Sequence, residues 1–254
     1  MNVANDEKYS YYIGGIMSLH KIQIDFENDC ISKREDVSYL ELTGCGIDIN
    51  DQGLVASGDF SGNVYLWKPG ERSPYGRFKA ASSIRCMKWI GDYLVFGCLN
   101  SIVYCWKQVG NSVTHTTDAN NSIRTLYNVF GDPVAMALNR LKNKIALGTT
   151  TGYLYVFSIN YTDGQLVLEE LYNIQIHEPK KLDDGSLLMM EIWNVAWSVT
   201  DQYIATTSED QTCKISESRT GKILKSSFLC SGKCLAVRIR KKFSFLFCFF
   251  LSPT

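Results

Sequence analysis

Five segments of this chain repeat one pattern at a spacing too regular for unrelated strands. Trp89 closes IRCMKW and Trp197 closes IWNVAW, and the same alternation ends at Ile49 in GCGIDI, Leu138 in PVAMAL and Ile239 in CLAVRI. A later strand closes 18, 17, 19 and 19 positions after the first four anchors, at Trp67, Trp106, Phe157 and Ser216. Six residues before each of these stands Ser61, Asn100, Thr151 or Asp210. Their side chains are of the kind that folds back on the local backbone at a hairpin tip. The anchors recur every ~48 residues, a period of the length found in propeller blades.

Within a unit the chain alternates polar and apolar residues and shows almost no helical periodicity. MKWI, YLVFG and IVYCW read as three strands, CLNS as the hairpin between the last two, and RSPYGRFKA or IRTLYNVF as a more variable outer segment. Each unit is therefore expected to be a four-stranded antiparallel sheet, and the chain all-β. The 19 Gly against five Pro suit its many tight turns.

SGDFSGNVYLWK, LVFGCLNSIVYCWK, ALGTTTGYLYVF and IATTSEDQTCKI resemble the second half of WD-repeat units, and EIWNVAWSVTDQYIATTSEDQT resembles the first three strands of another. The resemblance implies a β-propeller of four-stranded antiparallel blades. Residues 1–35 would supply strands of a partial blade, residues 36–240 the WD-repeat blades, and residues 241–254 an apolar tail. In that family each blade is tied by a Trp on its third strand, a Ser or Thr on its second, an Asp in the hairpin and a His before the first. Here the first clear blade offers Ser57 and Trp67 with Ser61 in place of the Asp, and the second offers Trp106 and Asn100. The fourth offers Thr206 and Asp210 with Ser216 in place of the Trp, and the expectation is that no blade has the His. The Trp-Asp dipeptide is missing, since Lys follows Trp67 and Trp106. Blade stability should then rest on apolar packing between sheets.

About four full blades plus partial ones make an apparently incomplete propeller. The expectation is a shortened product, which KKFSFLFCFFLSPT fits better, or completion of the open sheet edge by another chain. The Pro-free, low-charge window Phe243 to Leu251 also favours self-association.

Several function classes are disfavoured. With 26 basic and 26 acidic residues the chain has no global field for nucleic acid, and the one basic cluster, Arg238, Arg240, Lys241 and Lys242, is short. No nucleic-acid partner is expected. The Phe243–Leu251 run is about half of what a spanning helix needs, so no membrane span is expected. Nine scattered cysteines and an N-terminus without a secretory pattern predict reduced thiols and an intracellular location, cytoplasmic or nuclear. His20, His115 and His177 lie far apart, Cys230 and Cys234 lack a second ligand pair, and no nucleophile or phosphate-loop motif occurs. The chain is read as no enzyme, with no cofactor and no metal.

This leaves a non-catalytic scaffold that mediates protein–protein interactions within a multiprotein complex. The alternatives are a reader of a nucleic-acid or histone-tail target, or a regulatory subunit of an enzyme complex. A docking face can be placed. Apolar or small residues stand five and two positions before every anchor, from Gly44 and Ile47 to Cys234 and Val237. A separation of three cannot keep both on one face of a regular strand, so the start of this strand should contain a bulge. Four positions before the anchor, Cys45, Arg85, Val134, Trp193 and Leu235 would then turn toward a partner. Simple alternation with Val195 and Trp197 would instead make Trp193 ordinary core. Two loops, the polar Gly110 to Asn121 and the longer HEPKKLDDGSLLMM from His177 to Met190, are read either as tolerated insertions or as further places for contact, and neither has chemistry of its own.

Overall fold

The computed structural model describes residues 3–7, 10–14, 19–25, 30–38, 44–68, 71, 73–108, 123–228, 233–236 and 249–251, with side chains for those within 46–227. Among the described residues all regular elements are strands, and no helix is long and apolar enough to cross a membrane. The chain divides into two compact units, Met1–Leu126 and Tyr127–Thr254.

In the first unit, β1 (Val3–Glu7), β2 (Ser10–Gly14), β3 (Leu19–Asp25) and β4 (Cys30–Ser38) form one antiparallel meander. Where a partial blade over residues 1–35 was expected, a complete four-stranded sheet forms, and its last strand runs past that boundary to Ser38. The next sheet is β5 (Gly44–Ile49), β6 (Val55–Asp59), β7 (Asn63–Trp67) and β8 (Gly76–Lys79). The third is β9 (Ile84–Ile90), β10 (Tyr93–Cys98), β11 (Ile102–Lys107) and β12 (Ile123–Asn128), the last of which runs across the unit boundary. First strands lie beside first strands, β1 against β5 and β5 against β9.

The second unit holds β13 (Pro133–Leu138), β14 (Lys144–Thr149), β15 (Tyr153–Thr162) and β16 (Gln165–Gln175), then a small hairpin of β17 (Lys180–Lys181) and β18 (Leu187–Leu188). It continues with β19 (Ile192–Trp197), β20 (Tyr203–Ser208), β21 (Thr212–Glu217) and β22 (Ile223–Phe228), and with β23 (Lys233–Ala236) paired to β24 (Phe249–Leu251). Strand β19 lies beside β13 on one side and β23 on the other. The fold is all-β, built of four-stranded antiparallel sheets of the WD propeller-blade kind. The Ile239 anchor, residues 39–43, the 110–121 loop and residues 243–248 of the tail lie outside the described residues.

Both faces of the middle strands are covered, which is why Val55, Ala56, Leu94, Val95, Phe96, Ala146, Ile204 and Ala205 all read as buried in runs without alternation. Between the second and third sheets the core is Phe78, Ile84, Met87, Trp89, Phe96 and Trp106, with Phe78 stacked on Trp106 at 5.0 Å between ring centres. In the second unit Leu154, Val156, Ile192, Val195 and Trp197 do the same for the sheets of β13 and β19.

Candidate functional site

The start of the first strand is irregular in all five sheets that contain an anchor segment, and at the same place. Strand β5 pairs Gly44 with Asp59 and Gly46 with Gly58, so Cys45 has no opposite number. Strand β9 pairs Ile84 with Cys98 and Cys86 with Gly97, which leaves out Arg85. Val134 is skipped between Pro133 and Ala135, Trp193 between Ile192 and Asn194, and Leu235 between Cys234 and Ala236. The expected bulge is therefore present, and the residues it sets aside are the ones singled out as a docking face. Arg85, Val134 and Trp193 are half-buried. The side chains of Cys45 and Leu235 lie outside the described ones.

The cause of the bulge is packing against the preceding sheet. A Cβ on Gly58 would lie 2.7 Å from Ile84 Cγ2 and 2.8 Å from Met87 Cε; one on Gly148 would lie 2.5 Å from Ile192 Cγ2 and 3.1 Å from Val195 Cγ2. Residues five and two before the anchor thus press together on a bare patch of backbone, which a regular strand could not arrange. Simple alternation of Trp193 with Val195 and Trp197 does not hold. Ile192, Val195 and Trp197 join the buried cluster and Trp193 stands outside it.

The hairpin tips follow the sequence less closely. Ser61 is exposed at its tip, and the turn is held by Asp59, whose carboxylate accepts from the Asn63 backbone N–H and side-chain amide, both at 2.7 Å. Asn100 donates to the Tyr104 hydroxyl at 2.8 Å, and the Thr151 hydroxyl donates to Phe130 O at 2.8 Å. Asp210 alone among the four does what was expected, accepting the Thr212 N–H at 2.8 Å. What the four tips share is a left-handed residue one place on, Gly62, Ser101, Gly152 and Gln211, with φ of 83°, 60°, 80° and 65°.

The expectation that no blade has the His is overturned at His177. Its Nδ1 lies 2.7 Å from Asp210 Oδ2 and its Nε2 2.8 Å from Thr206 Oγ1. Ionised Asp210 can only accept, so Nδ1 donates and Nε2 accepts the threonine proton. The His escaped notice because twelve residues, 178–189, separate it from buried Met190 and the strand that follows. A search that let this interval vary would have found it. Asp210 is held further by the Thr212 hydroxyl at 2.7 Å, and Lys214 Nζ reaches Ile176 O at 2.8 Å. In the first clear blade Trp67 Nε1 donates to Ser57 Oγ at 3.1 Å, so that pair does form.

Asp210, His177 and Thr206 have the order of a carboxylate–imidazole–hydroxyl relay. Both His177 and Thr206 are 0% exposed, so the hydroxyl meets no substrate and the relay acts as a strut. Among the described residues no group of three His, Cys, Asp or Glu is placed to hold a metal ion. Among the cysteines with described side chains, Cys86, Cys98, Cys105 and Cys213 are buried and form no disulfide with one another.

Other ties between sheets went unseen in the sequence. Asp48 accepts Lys88 Nζ at 2.7 Å and the Trp89 N–H at 2.8 Å, joining β5 to β9. Asp201 accepts the Arg140 N–H at 2.8 Å and the Asn139 amide at 3.0 Å, and Trp197 Nε1 donates to Ala137 O at 3.0 Å. A lone Asp in a turn carries no sign of a partner 61 positions away.

The family model of the WD domain, G-beta repeat, matches residues 189–215, which span β19, β20 and most of β21. Repeats of this family generally mediate protein–protein interactions and act as scaffolds. No curated protein matches the chain.

Proposed function

We propose that this WD-repeat chain is a non-catalytic scaffold that holds two or more protein partners in one complex, with Arg85, Val134 and Trp193, and by position Cys45 and Leu235, as its contact residues. The observation that carries this reading is the bulge repeated at one position of five sheets. A bulge re-aims a side chain that the ladder would otherwise commit to packing. In Arg85 and Trp193 the re-aimed side chain is of a type enriched at binding hot spots.

The surroundings support it. The strands on either side are locked by buried residues, so a contact residue at the bulge sits on a rigid support and little ordering is left to be done on binding. The test is capture of partners from extract by the tagged chain, compared with Arg85→Ala and Trp193→Ala, with partners identified by mass spectrometry. Loss of the same proteins from both variants, with both still folded, is expected. Undiminished capture by both would overturn the assignment. Retention of nucleic acid instead, with a steep loss as salt rises, would favour a nucleic-acid reader.

A further inference from the structure

The segment between His177 and Met190 is a preformed arm. Strands β17 and β18 pair Lys180 with Leu188 and Lys181 with Leu187. The tip is closed by Leu182 N–H to Ser186 O at 2.9 Å and by Gly185 N–H to Leu182 O at 3.0 Å. Asp184 Oδ1 accepts the Ser186 N–H at 2.9 Å and its hydroxyl at 2.6 Å. The root is fixed by the His177 ring between Asp210 and Thr206, by His177 N–H to Gly152 O at 3.1 Å, and by buried Met190.

A two-stranded hairpin standing alone in water is marginal. This one nonetheless exposes Leu182, Leu187 and Leu188 within seven residues, at 39%, 56% and 45%. Such a concentration of exposed leucine marks a contact surface. The charges identify what covers it. Lys180, Lys181, Asp183 and Asp184 are all exposed, and among the described residues none of them forms an ion pair. Their order, Lys-Lys-Leu-Asp-Asp, is a charge palindrome about Leu182. Asp184 is turned into the tip toward Ser186, but an antiparallel copy of the same arm, related by a two-fold axis at Leu182, would set Lys181 against Asp183 of the second copy, and this pair would occur twice. Leu182 would then meet its own counterpart, with Leu187 and Leu188 alongside. A two-fold contact requires this self-complementarity, whereas an unrelated partner has no use for it.

We infer that the arm is a homodimer contact, in which residues 180–188 of two copies clasp antiparallel through three leucines and two symmetry-related ion pairs between Lys181 and Asp183. The contact is small and its ion pairs are exposed, so it is weak and salt-sensitive.

The test uses sedimentation equilibrium of the full chain over a concentration series. The mass should rise toward that of two chains, and less so at high salt. Lys181→Asp and Asp183→Lys, which leave the Asp184 tip bonds intact, should each raise the dissociation constant by about tenfold, because two attractive pairs become repulsive. An equal mixture of the two variants should restore association, since every pair is again opposite in sign. Leu187→Ser with Leu188→Ser should abolish it. A wild-type chain that stays monomeric would overturn the inference. So would association unaffected by the single charge variants, which would assign it to another surface such as the apolar tail, or a mixture no tighter than its components.

Discussion

His177 and Asp210 are held 2.7 Å apart although 33 positions separate them, and the bond ties the root of the 178–189 arm to the hairpin between β20 and β21. Burial is the main influence on the His177 imidazole and keeps it below its ordinary 6.5, against the opposing hydrogen bond and charge of Asp210. Burial would raise the Asp210 carboxyl, but His177 and Thr212 together hold it below 3.8. Both groups have depressed native values, so the stability they contribute is present at neutral pH and lost on acidification. For His177 the loss begins near 6.5, where the unfolded imidazole takes up a proton that the buried one refuses, with a slope of up to about 1.4 kcal/mol per pH unit. Asp210 adds to it below 3.8. Thermal melts from pH 8 to 4 should show this fall, and His177→Ala should flatten the limb below 6.5 while costing roughly 1–3 kcal/mol at neutral pH. Parallel curves for the two proteins would reject the linkage.

Gly152 should be the least replaceable glycine of the second unit. Its φ is +80°, and a Cβ there would lie 2.1 Å from His177 O, a backbone atom that cannot swing aside. Gly164 has φ +73° with nothing within 4 Å. Gly164→Ala should therefore cost only the left-handed penalty of about 1–2 kcal/mol, and Gly152→Ala clearly more. Urea melts of the pair separate the two effects.

Ser57→Ala removes the acceptor of the Trp67 indole N–H in a site where Ser57 is 4% and Trp67 1% exposed. The stranded donor should cost about 1–3 kcal/mol. Ser57→Thr keeps the hydroxyl and should recover much of that in the same denaturation assay.

Burial pushes the Cys86 and Cys98 thiols up to about 12, leaving almost no thiolate at neutral pH. In a chain whose Cys30, Cys45, Cys230, Cys234 and Cys248 are replaced, alkylation at pH 8 should be slow and should accelerate across the urea transition. Rapid labelling of the native protein would show these positions to be open.

Trp193→Ala should lower the melting temperature less than Trp197→Ala, because Trp193 is half-buried and stands outside the cluster formed by Ile192, Val195 and Trp197. Trp197→Ala, at a 9% exposed position, serves as the contrast and should lose ~3–5 kcal/mol. Equal losses for the two would mean that Trp193 is packing and not a contact residue.

The repeat, the four-stranded unit and the bulge were legible because each rests on short-range rules. A strand must alternate, a tip needs a residue that tolerates a turn, and two buried residues three apart demand an irregularity between them. The spacing of three between Gly44 and Ile47, and between Ile192 and Val195, carries that irregularity in the sequence itself. His177 was not legible, since the arm hides its distance from the strand. Nor was the role of Asp59 in place of Ser61, because both residues suit a turn and only the backbone decides which carboxylate or hydroxyl meets Asn63.

Local patterning by itself therefore determined the all-β character, the register of repeats and the residues that bulge out of line. Tertiary structure alone decided which polar side chains find partners, as Asp48 does at Trp89, Asp201 at Arg140 and His177 at Thr206. The reason is physical: alternation is a property of neighbours along the chain, whereas a buried hydrogen bond depends on where folding brings distant residues.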